Sequence, residues 1–252
     1  MALHDPIRTE AEVHYSRMTQ DDPHDIFRSS TTVQLPCSTG GSNPEAIFVC
    51  LAESSDQRNS ATELVNHMYA RRGYGGNHSI PQTSLHTTFT ARTATRTIGT
   101  ITLAIDSAAG LAADTIFRAE IDAFRQVPGA KVCELTKLAF DTEAPSKPLL
   151  AAMFHVIFIY GQRRHDCTDL FIEVNPRHTR FYEVMLGFER VGTLKTNASV
   201  AAPAQLLRLE IKKIHAALDG RQGCGENRRS RSLYPYFRSN DVVGNMDLRV
   251  TA

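Results

Sequence analysis

The chain of 252 residues has no tryptophan and only five cysteines. It also lacks any apolar run near the roughly 20 residues that a helical membrane span needs. The cysteines (Cys37, Cys50, Cys133, Cys167 and Cys224) are scattered, odd in number and without C-x-x-C spacing. That usage reads as reduced thiols in a cytoplasmic protein rather than a disulfide framework or a zinc site, so no metal is expected. Charge of one sign is missing too. Lys and Arg number 28 against 27 Asp and Glu, a net +1, so no global field draws the chain to nucleic acid or a membrane surface. The opening "MALHDPIRTEAEVHYSRM" has no apolar h-region, so no secretory leader is expected.

What is present is 42% hydrophobic residues, enough for a substantial core. Residues 1–43 are rich in Ser, Thr, Asp, His and Pro without a sustained period, and read as a loosely ordered arm. The folded domain is expected over 44–215, followed by a basic, polar tail over 216–252. Within that tail "RRSRS" (Arg228–Ser232) has no interleaved aromatics and reads as a solvated linker, not a nucleic-acid contact.

"EAIFVCLAES" reads as a buried strand and "SDQRNSATELVNHMYARRGY" as a helix stopped by Gly73. "TSLHTTFTART" and "TIGTITLAIDS" alternate as a β-hairpin, and "AADTIFRAEIDAFRQVPG" is an amphipathic helix. Next come a strand "KVCELTKLAFD", a helix apolar nearly all round from Leu149 to Tyr160, and a strand "TDLFIEVN". "PRHTRFYEVMLG" is a short helix with Asn175 at the N-cap, Pro176 at the first position and Gly187 just past its end. "FERVGTL" and "AQLLRLEIKKI" read as the last strands. The order predicts an α/β (α+β) fold: a mixed, mostly antiparallel sheet with helices on both faces. Its two central strands, joined by a helix, should run parallel through a right-handed crossover.

One of those central strands carries "ELTKLAFD" (Glu134–Asp141), with charged groups on both faces just before its apolar end. Strict alternation would put Glu134, Thr136 and Leu138 on one side and Leu135, Lys137 and Ala139 on the other.

The element order and "NPRHTRFYEVMLGFERVG" (Asn175–Gly192) resemble the GCN5-related acyltransferase superfamily, in which two neighbouring parallel strands splay apart to admit an acyl thioester. "DSAAGLAADTIFRAEID" followed by "ELTKLAFD", with "RRGY" and "IGTITL", resembles the N-acyl amino acid synthases of N-acyltyrosine type, relatives of the acyl-homoserine lactone synthases. Glu134, Thr136 and Lys137 fill the E-x-[ST]-[RK] pattern shared by both groups. The resemblance covers roughly residues 45–213 and implies transfer of a long-chain acyl group to the α-amine of an amino acid. No tightly bound cofactor is implied; the cosubstrate would be an acyl-phosphopantetheine thioester, on acyl-carrier protein or coenzyme A. Acetyl-CoA enzymes of the superfamily follow the strand with a glycine-rich turn that cradles pyrophosphate. Here the place is taken by "TEAPSKPLL", without glycine, which favours acyl-carrier protein as partner. A lactone synthase would use S-adenosylmethionine and carry Trp and Arg near its N-terminus; this chain has no Trp. A catalytically degenerate module of the same fold is the reading from outside enzymes.

The implied chemistry needs a base for the ammonium, donors for the oxyanion and a proton for the leaving thiolate. Glu134 is the candidate base, against a plain paired carboxylate at a strand edge. Tyr182 is the candidate proton donor to the thiolate, against an aromatic packed on the sheet. Backbone amides of Leu138, Ala139 and Phe140 are candidate oxyanion donors. Lys137 would hold a substrate carboxylate or a donor phosphate, or form an ordinary ion pair; Thr136 would orient Glu134 or simply favour the strand. Arg177 and Arg180 would meet phosphopantetheine or an acidic carrier protein, or lie solvated. Met153, Phe154, Ile157 and Phe158 would wall an acyl slot or pack a core.

Overall fold

The threonines and isoleucines that alternate after residue 85 form a hairpin, β3 (His86–Arg92) and β4 (Thr97–Ile105). One face of it carries Phe89, Ala91, Ile101 and Leu103 into the main hydrophobic cluster; the other carries Thr88, Thr90, Thr100 and Thr102, all buried. The hydroxyls of Thr88 and Thr102 meet at 2.7 Å, so this polar face satisfies part of its own hydrogen bonding.

In the computed structural model, which describes residues 33–35, 47–142, 145–219 and 231–237, this hairpin is the middle of an eight-stranded sheet. The remaining strands are β1 (Val33–Leu35), β2 (Ile47–Leu51), β5 (Val132–Phe140), β6 (Asp169–Val174), β7 (Glu189–Asn197) and β8 (Ala202–Glu210). Their spatial order is β1-β2-β3-β4-β5-β6-β8-β7, and every neighbouring pair is antiparallel except β5 and β6. Helices cover both faces.

Helix α1 (Ser55–Ala70) starts at a capping box in which Ser54 and Gln57 satisfy each other's backbone, and lies over β4 and β5. Helix α2 (Asp114–Arg125) buries Phe117 and Ile121 against Val132, Phe171 and Leu206. On the opposite face, α3 (Lys147–His165) joins β5 to β6 and is buried along most of its length, as its all-round apolar sequence requires. Arg163, Arg164 and His165 close it, favourably placed against the negative helix end. The expected caps of α4 (Pro176–Leu186) are present: Asn175 accepts from the Arg177 amide, and Gly187 adopts φ 77°.

Three features depart from the sequence expectations. Val33–Leu35, within the stretch read as a loose arm, adds the edge strand β1; residues 1–32 and 36–46 lie outside the described residues. The run read as one strand to Ile214 breaks at Glu210, and Ile211–Asp219 form α5, with Ile211 and Ile214 buried one helical turn apart. The tail is not wholly polar in its placement. Leu233, Tyr234 and Phe237 are buried against α3 and α4; Phe237 stacks on His155 at 4.7 Å and the Tyr234 hydroxyl donates to the Leu186 carbonyl at 2.5 Å.

Candidate active site

The parallel pairing that should run through the centre of the sheet is short. Val132, Cys133 and Glu134 register with Asp169, Leu170 and Phe171, and beyond Glu134 the two strands have no further paired residues. β5 nevertheless stays registered to β4 as far as Phe140. The sheet therefore parts on one side of β5 only, directly after Glu134.

At the parting β5 bulges. Thr136 pairs with Thr102 and Ala139 with Thr100, so Lys137 and Leu138 together oppose the single residue Ile101. Lys137 takes φ 54°, a left-handed conformation rare for a residue with a side chain. This corrects the strict alternation expected of "ELTKLAFD". The extra residue resets the faces, so that Leu138 and Phe140 join the α3-side core while Ala139 faces α1. Gly99 of β4 makes room: a Cβ there would come within 2.7 Å of the Phe140 ring.

Glu134 is 2% exposed and points to the α2 side, where the Ala113 amide donates to its Oε2 at 3.2 Å. Burial pushes its carboxyl up to about 8, and the nearby Glu173 and Asp114 carboxylates push the same way against the Ala113 and Ala112 amides. The loop supplying those amides is pinned by Arg125. Its guanidinium makes one fork to Asp106 (2.7 and 2.8 Å), a second to Asp114 (2.7 and 2.8 Å), and a contact to Asp122 at 2.7 Å. Asp114 in turn accepts from the Leu111 amide at 2.7 Å. Three carboxylates around one guanidinium hold its proton more firmly than usual and Asp114 below its ordinary range.

Glu173, two residues past the last residue of β6 registered with β5, projects on the same face as Glu134. It accepts from Asn197 at 2.6 Å, and burial raises its carboxyl too. Through Tyr69 of α1 the line of polar groups continues to Tyr182 of α4. Tyr69 feels Glu173 and is pushed up to about 12 by burial, and Tyr182 feels Tyr69 and is pushed further up. Tyr182 sits edge-on to Phe154, Phe181 and Phe188.

Of the residues singled out by sequence, Glu134, Thr136, Lys137 and Leu138 surround the bulge, and Ala139 and Phe140 are buried just past it. Lys137 is half-buried, its ammonium pulled down by burial with no carboxylate beside it among the described residues. Arg177 and Arg180 are exposed on the first turns of α4; Arg177 reaches His178 at 3.1 Å, and Arg72, in the turn after α1, also bears on that histidine. Met153, Phe154, Ile157 and Phe158 are packed into the main cluster. Sequence reasoning missed Glu173, Tyr69 and Arg125. Glu173 left one trace, a single carboxylate inside the apolar run "LFIEV".

At the N-terminus of α3, Ser146 to Leu149 set the first turn. Here the Ser146 side chain accepts from the Leu149 amide and Pro148 has no amide hydrogen to offer. Among the described residues no helix is long and apolar enough to cross a membrane, and no cluster of His, Cys, Asp or Glu could hold a metal.

Comparisons with known proteins fit this geometry. Residues 60–210 match the family described as N-acyl amino acid synthase FeeM. The solved structure of FeeM, an N-acyl amino acid synthase from uncultured soil microbes, is 29% identical. It aligns over 67% of this chain and 94% of that one, with a TM-score of 0.62. The AHL synthase LasI is 12% identical over 66% of this chain and 91% of that one, with a TM-score of 0.50, a likeness of fold. Comparison with curated proteins returns no match.

Proposed function

The chain belongs to the N-acyl amino acid synthase family and is an N-acyltransferase; from that premise we propose that it moves a long-chain acyl group from acyl-carrier protein to the α-amine of an amino acid. The observation that carries the reading is the one-sided parting of β5 from β6 beside a buried, proton-hungry carboxylate.

In this reading the thioester carbonyl lies at the bulge, where β5 has lost its partner on the β6 side. Glu134 takes a proton from the incoming ammonium, directly or through a water, and a carboxyl poised near 8 suits that exchange. The freed amine attacks the carbonyl carbon, and the oxyanion meets the backbone amides of Leu138 and Phe140, which alternate away from β4, whereas the Ala139 amide faces β4. As the C–S bond breaks, the thiolate takes a proton from Tyr182, whose phenol stays protonated at working pH, and the nitrogen gives up its second proton to restore that phenol. The products are an amide and a free thiol. Thr136 and Lys137 border the acceptor at the bulge, and the flank of α3 around Phe154 and Phe158 borders the acyl chain.

A carrier protein rather than coenzyme A as donor is supported by the α3 N-terminus, where the Leu149 amide is capped by Ser146, Pro148 has none, and no glycine lets the backbone close round a pyrophosphate. Arg177 and Arg180, with Arg72 across from them, offer positive charge to an acidic carrier. The test is a direct comparison. The protein is incubated with each amino acid and the same long acyl chain on carrier protein or on coenzyme A, and N-acyl products are read by mass spectrometry. The reading predicts at least about tenfold higher kcat/KM with the carrier protein, the worth of one or two charge-assisted contacts. Equal or greater efficiency with acyl-CoA would overturn the donor assignment. Failure to form product from either donor would overturn the reaction.

A further inference from the structure

Two carboxylates stand on the same face at the parting of β5 and β6, and nothing described neutralises them. Glu134 is 2% exposed and Glu173 half-buried. Among the described residues neither forms an ion pair with a lysine or arginine. Glu134 receives backbone amides, and Glu173 the Asn197 side chain at 2.6 Å. The other groups facing them are Asp114 from α2 and Tyr69 from α1, with Tyr182 of α4 beyond; Arg72, in the turn after α1, bears on the two phenols rather than on either acid. A pair of buried acids without a cation is costly, unless a proton is shared between them or a cationic ligand arrives. Arg125, the strongest cation near the loop, is saturated by Asp106, Asp114 and Asp122.

We propose that Glu173 is a substrate-binding residue that holds the ammonium of the acceptor in its charged form, between its own carboxylate and that of Glu134, before the proton is removed. The inference rests on the acyl-transfer reading only for what happens next. Glu173 fixes the nitrogen and Glu134 takes its proton. One acid binding and the other deprotonating explains why the sheet carries two where a single base would serve. It also gives the acceptor class a chemical definition: a free primary ammonium. An N-acylated amino acid, which carries no charge on nitrogen, would find no partner between the two acids.

The experiment uses the full chain and the Glu173→Gln variant, which keeps an oxygen for Asn197. Calorimetric titration of the twenty common amino acids identifies the tightest binder, and its N-acetyl derivative serves as the chargeless control. The expected result is at least about tenfold weaker binding to the variant, the loss of one hydrogen bond to a charged group, and no binding of the N-acetyl compound. Steady-state kinetics should show the same rise in KM for the amino acid with KM for the acyl donor unchanged. The acid limb of kcat/KM should move to lower pH, because Glu173 no longer opposes ionisation of Glu134. Asn197→Ala separates a purely structural role: a matching loss of binding there would overturn the proposal, as would unchanged amino acid affinity in Glu173→Gln. Amine binding that depends on Glu173, in a protein that forms no N-acyl product, would uphold this inference while sinking the acyl-transfer reading. Product formed with unchanged KM in the variant would do the reverse.

Discussion

At Lys137 a single backbone angle sets the geometry of the site. Its φ of 54° shapes the bulge in the pairing with β4 and turns Leu138 and Phe140 toward the α3 core. If the conformation matters more than the ammonium for folding, Lys137→Gly should unfold within about 1 kcal/mol of the wild type, since glycine enters this region freely. Lys137→Val should lose at least about 1 kcal/mol, because a branched Cβ meets the steric cost of the left-handed region. Urea unfolding of both variants checks this, and equal stabilities would refute the strain. Glu134 offers a second residue-scale test. Its carboxyl is raised from 4.5 to about 8 in the fold, so the folded state keeps a proton that the unfolded chain releases. The stabilisation from the neutral acid is whole below pH 4.5 and is lost as pH climbs towards 8. Stability measured across that window should decline in the wild type relative to Glu134→Gln. A flat difference would mean that the carboxyl is not held protonated.

At the scale of elements, the legible part of the fold and the hidden part have different physical origins. Periodicity located α1, α2, α4 and the β3–β4 hairpin, because each buries one patterned face; the all-round apolar run located α3, and the caps of α4 were readable from Asn175, Pro176 and Gly187. The bulge was not readable, since a left-handed lysine carries no sequence signal. The partnership of Glu134 and Glu173 was equally hidden, because it depends on register between strands separated by the whole of α3. Arg125 was hidden for a similar reason: on a helix it reads as a solvated charge, whereas in the fold it gathers Asp106, Asp114 and Asp122. Through Asp114 and Leu111 it shapes the loop whose amides face Glu134. Lysine cannot make two forks at once. Arg125→Lys is therefore expected to cost about 2 kcal/mol, the loss of charge-assisted hydrogen bonds in a partly exposed cluster. It should also move the acid limb of kcat/KM to higher pH, since Glu134 loses amides that favour its charged form. An unchanged pH profile in a destabilised variant would confine Arg125 to folding.

At the scale of the whole molecule, the family match ends at residue 210, yet the core does not. Ile211 and Ile214 of α5, and Leu233, Tyr234 and Phe237 beyond it, close over α3 and α4. The Lys147 ammonium, in the first turn of α3, also lies 5.9 Å from the centre of the Tyr236 ring. The tail is thus part of the wall that keeps α3 dry. Phe237→Ala should cost about 3 kcal/mol in unfolding experiments, as for a large aromatic removed from a core. A loss under about 0.5 kcal/mol, the usual effect of a surface change, would show that the segment merely rests on the surface. The central claim joins all three scales: the sheet parts beside Glu134 so that this carboxylate can deprotonate an amine facing a thioester. The most direct measurement is the rate at which wild type and Glu134→Gln form N-acyl amino acid from long-chain acyl-carrier protein at pH 8.5. The account predicts product from the wild type and a rate at least about 100-fold lower from the variant, the usual worth of a general base. Equal rates would contradict it.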